Sequence, residues 1–148
     1  MRPRGISVAI ALMVFAAVAF LLFWLAWFLV PDAVRISNER CYVIFEQAFP
    51  LADGWCAAAC LLGALGLWRR RSWGFLFTLM AGGAAIFLGL MDLLYDLEHG
   101  TFLLGTAEAY TELLIVVLVL GLGPVVTWLV WRERYWALGL DAPRRGPG

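Results

Sequence analysis

The chain has 148 residues, of which 64% are apolar and 15% charged, whereas an ordinary soluble domain is about half apolar. That balance excludes a plain soluble enzyme, a disordered chain, a nucleic-acid binder built on a basic domain, and a disulfide-stapled secreted module. The formal net charge is zero, from 11 Arg and no Lys against 11 Asp plus Glu.

The apolar residues fall in blocks long enough to cross a bilayer, and the length suits one domain, so the chain reads as a single polytopic membrane domain, residues 1–148. The first block, about 6–30, is longer than the ~7–15 residue core of a signal peptide and lacks a small-x-small cleavage site near Pro31, so it reads as a retained helix. A second block, about 43–68, is closed by Arg69, Arg70 and Arg71, whose charge stops a span. The third and fourth blocks cover about 73–95 and 107–131, with Arg132 and Arg134 directly behind the last. Together these predict an all-α fold, a bundle of four transmembrane helices. The tail, residues 140–148, is rich in Pro, Gly and Arg and reads as a disordered cytoplasmic segment.

Arginines near span ends stay cytoplasmic. Nine of them, Arg2, Arg4, Arg69, Arg70, Arg71, Arg132, Arg134, Arg144 and Arg145, share one side, against Arg35 and Arg40 on the other. Both termini are therefore expected in the cytoplasm. The Arg-only, Ala/Gly-rich composition associates the protein with a bacterial inner membrane.

The acids are segregated the opposite way: nine lie on the outer side or in the outer half of a span, leaving only Glu133 and Asp141 inside. The zero net charge is thus a sum of about seven net negative charges outside and seven positive inside. Asp32, Glu39 and Glu98 read as loop residues in water. Glu46, Asp53, Asp92, Asp96, Glu108 and Glu112 instead interrupt apolar sequence, where a carboxylate costs a few kcal/mol and normally faces protein or a wet cavity. Glu46 and Asp53 are seven apart; Asp92 and Asp96 are four apart with His99 three further; Glu108 and Glu112 are four apart. Each set shares a helix face. On the third helix that face continues as Gly82, Ala85 and Gly89, a stripe that permits close helix approach. Pro50 cannot donate to the carbonyl of Glu46, so the second helix either starts at Pro50, putting Asp53 in a favourable first turn, or kinks there and frees a carbonyl. Gly121, Gly123 and Pro124 mark a tolerated kink in the fourth helix.

Convergent carboxylates in an apolar pocket cannot all be ionised unless a cation or water accompanies them. One reading is a divalent metal site on Asp92, Asp96 and His99 with help from neighbouring helices; Asp96-x-x-His99 is similar to one half of the two Glu-x-x-His elements of carboxylate-bridged di-metal bundles. A second is an outward-facing acidic intramembrane pocket that binds a cation, a proton or a basic ligand, as in a carrier, sensor or receptor, with Glu46, Asp53, Asp92, Asp96, His99, Glu108 and Glu112 as its residues. The inner half of each span carries no ionisable residue, so no proton wire reaches the cytoplasm. A third is a non-catalytic accessory or assembly subunit. A lipid-modifying enzyme is the fourth, with Tyr42, Tyr95 or Tyr110 beside the carboxylates, although no nucleophile with a matching base, phosphate loop or cofactor motif is present. No catalytic residue and no resident cofactor is therefore assigned, a divalent metal excepted. The expected partners are the lipid bilayer and a homodimer or larger membrane complex, with no nucleic acid.

Cys56 and Cys60, four apart in the second span, read as buried small hydrophobes, and Cys41 lies in or near the outer loop. Trp24, Trp27, Trp68, Trp73, Trp128, Trp131 and Trp136 read as interfacial anchors. Trp55, beside Asp53, is a candidate for contacting a cation. Glu46 and Pro50 match one fragment of the pattern of membrane-associated glutathione transferases, but Val43 stands where that pattern has asparagine and the basic start of its third helix is missing. No function is carried over from it.

Overall fold

A computed structural model of the chain describes residues 1–35 and 37–140. Six helices follow one another as α1 (Arg4–Leu29), α2 (Arg40–Glu46), α3 (Pro50–Trp68), α4 (Ser72–His99), α5 (Ala107–Arg132) and α6 (Arg134–Leu138), with short 3-10 turns at Pro31–Ala33 and Thr101–Leu103. Four segments, Arg4–Leu29, Arg40–Trp68, Ser72–His99 and Ala107–Arg132, are long and apolar enough to cross a membrane. The protein is an all-α four-helix bundle of the polytopic membrane kind. Of the tail predicted to be disordered, residues 141–148 lie outside the described residues.

Each boundary has a local cause. Pro50 takes the first position of α3, where its missing N–H costs nothing. The chain breaks between α2 and α3, and Phe49 N donates to the Glu46 carbonyl at 3.0 Å. The kinked alternative would have left that carbonyl free; instead the neighbouring amide takes it. At the far end of α3, Arg71 N donates to Gly66 O at 2.8 Å and Arg70 N to Leu67 O at 3.2 Å. This is a Schellman closure with Arg70, at φ 54, in the left-handed position usually held by glycine. Helix α4 runs to His99, one turn past the expected end at residue 95, because the left-handed Gly100 (φ 66) is the first residue able to terminate it. Pro124 sits inside α5 without interrupting it.

The helices form a ring in which α1 packs on α3, α3 on α4, and α4 on α5, while the closing seam between α5 and α1 is the least packed of the four. Small residues line the tight contacts. The buried set is dominated by Ala, including Ala9, Ala17, Ala57, Ala59, Ala81 and Ala85, with Cys56 and Cys60 among them. Where lipid tails compete equally for apolar surface, helices associate through such close van der Waals contact. The predicted stripe on α4 behaves this way: Gly82 lies against Thr127 and Gly123 of α5, and Gly89 against Leu120. Large apolar side chains such as Phe15, Leu22, Phe87, Val117 and Trp128 are left on the outer surface.

Two anchors were misplaced by position along the span. Trp24 and Trp27 were expected at the interface, yet they are 9% and 0% exposed. Both lie on the face of α1 that packs into the bundle, and their rings join Phe23 and Tyr42 in a cluster of edge-to-face and tilted pairs with centroid spacings of 5.3 to 6.1 Å.

The packing makes a specific prediction. A Cβ on Gly82 would collide with Thr127 Oγ1 and approach the Gly123 carbonyl to 3.0 Å, whereas one on Gly83 meets nothing within 4 Å. Gly82→Ala is expected to destabilise by about 1–3 kcal/mol and Gly83→Ala to be neutral or mildly stabilising, as read by thermal unfolding of the protein in mild detergent.

Candidate functional site

The loose α1–α5 seam leaves a cavity of about 640 Å³. Its walls are apolar, with Leu12, Phe15, Ala19, Phe20 and Phe23 from α1 facing Ile115, Leu118, Leu122 and Val125 from α5. Four carboxylates also line it: Glu46 at the end of α2, Asp53 in the first turn of α3, Asp92 on α4 and Glu112 on α5. Residues from four different helices therefore meet around one space. No Arg or His is among the lining residues.

Asp53 is the best-held of the four. It is 8% exposed, and Trp24 Nε1 donates to its Oδ2 at 2.8 Å. Its place in the first turn, behind Pro50, puts the carboxylate near the positive end of the α3 dipole. Glu46 stands within electrostatic reach of Glu112, Asp92 and Asp53. Of the two arginines at this end, Arg35 has its guanidinium over the Trp27 ring, 4.6 Å from its centroid, and Arg40 is exposed; neither lines the cavity. Among the described residues the one ion pair is Arg132 with Glu133 at 3.5 Å, which lies at the opposite end.

The remaining predicted residues do not line this cavity. Asp96 is 3% exposed and its Oδ2 has no hydrogen-bond partner, yet it does not line the cavity. It lies one helical turn beyond Asp92 on the same face of α4, is hydrogen-bonded to Thr101, and stands within electrostatic reach of Glu112 and Glu46. His99 is exposed; its ring stacks on Tyr95 with centroids 4.0 Å apart, and its Nδ1 is 2.8 Å from the Tyr95 carbonyl oxygen. Glu108 is exposed in the first turn of α5 and lines, together with Glu112, Thr111 and Val34, a smaller hollow of about 370 Å³. Among the described residues no three His, Cys, Asp or Glu side chains are grouped to hold a metal ion. Trp55 is 48% exposed and does not line the cavity that Asp53 lines.

Sequence spacing missed Trp24 as the partner of Asp53. The two are 29 residues apart, and no periodicity links them; the available signal was chemical, since an acid in a span without lysine must find some other donor. The apolar walls were also missed, because every span offers such residues and only packing selects among them. Cys56 and Cys60 are buried as expected, and Cys41 is exposed.

Compared with protein-family models, curated proteins and solved structures, the chain matches none.

The Asp53 contact can be measured directly. Trp24→Phe leaves a buried carboxylate without its donor and is expected to cost about 1–3 kcal/mol. Trp24→Phe combined with Asp53→Leu replaces both partners by apolar groups and should recover most of that loss; additive losses in the double-mutant cycle, read by thermal unfolding, would show that the two side chains are not coupled.

Proposed function

We propose that the protein binds a cationic or basic group at Glu46, Asp53, Asp92 and Glu112, as a carrier, sensor or receptor component of the membrane. The observation that carries this reading is that four carboxylates from four helices line one cavity with no basic side chain among its lining residues. Carboxylates crowded in a low-dielectric space either take up protons or stay ionised beside a counter-charge, and a cation is the ligand that favours the second state. An ammonium or guanidinium group supplies that charge with several N–H donors, and charge-assisted hydrogen bonds are among the stronger polar contacts. Trp24 holds Asp53 in place, so one carboxylate is already oriented before a ligand arrives.

Under the same reading the carboxylate-bearing end faces outward and both termini face the cytoplasm of a bacterial cell, in keeping with the arginine asymmetry. Cys41 reports this well. It is exposed at the carboxylate-bearing end while Cys56 and Cys60 are buried, so an impermeant thiol reagent added to intact cells should label the protein at Cys41. Labelling only from the cytoplasmic face would reverse the orientation.

Binding is tested on protein purified in a neutral detergent, by following the unfolding midpoint against butylammonium, guanidinium, and Mn, Ca and Mg ions. A ligand that binds the folded state raises the midpoint. Glu46→Gln, Asp92→Asn and Glu112→Gln should each weaken ammonium binding by about tenfold or more, the equivalent of ~1.4 kcal/mol for one lost charged contact. No shift with any cation, or shifts that survive all three substitutions, would sink the reading.

A further inference from the structure

The cavity is far larger than an ammonium group, and its shape carries information that the carboxylates do not. Resting on the cation-binding reading above, we infer that the ligand is a long-chain amphiphile with a cationic head that enters sideways from the bilayer through the α1–α5 seam.

The carboxylates occupy one end of the space and its walls continue as hydrocarbon. Along α5 the lining extends from Glu112 to Val125, a rise of about 20 Å at ~1.5 Å per residue, and along α1 it extends from Phe23 back to Leu12. Because α1 and α5 are antiparallel, Phe23 and Glu112 mark the polar end, and Leu12 and Val125 the apolar end. A bare cation would use only the first. An alkyl chain attached to the cation would fill the second.

Lateral access follows from which wall residues also reach the outer surface. Phe15, Leu22, Val117, Leu118 and Val125 line the cavity and are 63%, 58%, 58%, 51% and 44% exposed. All five lie on α1 or α5, the least packed pair in the ring. In a bilayer that surface faces lipid tails rather than water. A phospholipid tail could slide into the same gap, but its phosphate would then meet carboxylates and be repelled, so charge complementarity favours a cationic head. Transfer of the tail from lipid to an apolar cavity gains little, so selection rests on the head while the tail fixes the route and the pose.

Gly121 gives a clean way to separate tail from head. It lines the cavity, and a Cβ there meets nothing within 4 Å, so a larger side chain can occupy the apolar end without disturbing the carboxylates. The test uses the full chain in phosphatidylcholine nanodiscs with a long-chain alkylamine that carries a diazirine in its chain. Photolabelling is expected to concentrate on the α1 and α5 wall segments and to be competed by dodecylammonium but not by dodecanol. Gly121→Phe should lower that labelling by about tenfold, which corresponds to ~1.4 kcal/mol of steric exclusion, while the midpoint shift with butylammonium stays. Ala19→Leu, on the opposite wall, is the second variant if Gly121→Phe does not fold. Labelling spread evenly over the lipid-facing surface, or unchanged by both fillers while butylammonium still binds, overturns the amphiphile inference and leaves cation binding standing. Failure of both ammonium probes overturns both.

Discussion

The hydrogen bond from Trp24 to Asp53 is the contact on which the arrangement of this bundle depends. At 8% exposure the Asp53 carboxylate has little access to water, and a donor inside the protein compensates for its burial. At 2.8 Å the indole supplies one, and in doing so ties α1 to the first turn of α3. At the opposite end of the same pair, Arg2 donates through Nη2 to the Trp68 carbonyl at 3.0 Å. Helix α1 is therefore fastened to α3 at both ends. Among the described residues no hydrogen bond ties α1 to its other neighbour, α5, and the seam between them is where the cavity forms.

This division of labour explains why small residues and large ones are distributed as they are. The α3–α4 and α4–α5 contacts are close enough that glycines are required, with Gly66 and Gly74 meeting backbone to backbone and Gly82 seated on Thr127. Such contacts are intolerant of added volume. The α1–α5 seam is lined by Phe, Leu, Ile and Val, and Gly121 there faces open space. A bundle that was tight everywhere would have no room for a ligand.

The opposite end of the bundle illustrates the other use of charge. Arg70 lies over Trp136, Arg132 over Trp128, and Arg134 over Trp131 and Tyr135, with centroid distances of 4.6 to 5.3 Å. These guanidinium groups are spread over aromatic faces at the helix ends and stay accessible. The four cavity carboxylates are handled differently, drawn between helices with no cationic side chain among the lining residues.

The sequence by itself determined the four spans, the all-α class and the concentration of acids toward one end, because hydropathy and length decide whether a segment can cross a bilayer. It also marked Pro50 as the weak point of the second span, without deciding between a start and a kink, and Gly82 as a place of close approach, since both follow from properties of single residues. Tertiary packing decided the rest. Asp92 and Asp96 are one turn apart and read alike, yet one lines the cavity and the other is buried beside Thr101. Trp24 and Trp27 read as interface anchors and proved to be core, because the face of α1 that meets α3 is chosen by a partner distant in sequence. Helical periodicity fixes which residues share a face; which face meets a neighbour, and which seam stays open, depends on contacts between helices that no single segment encodes.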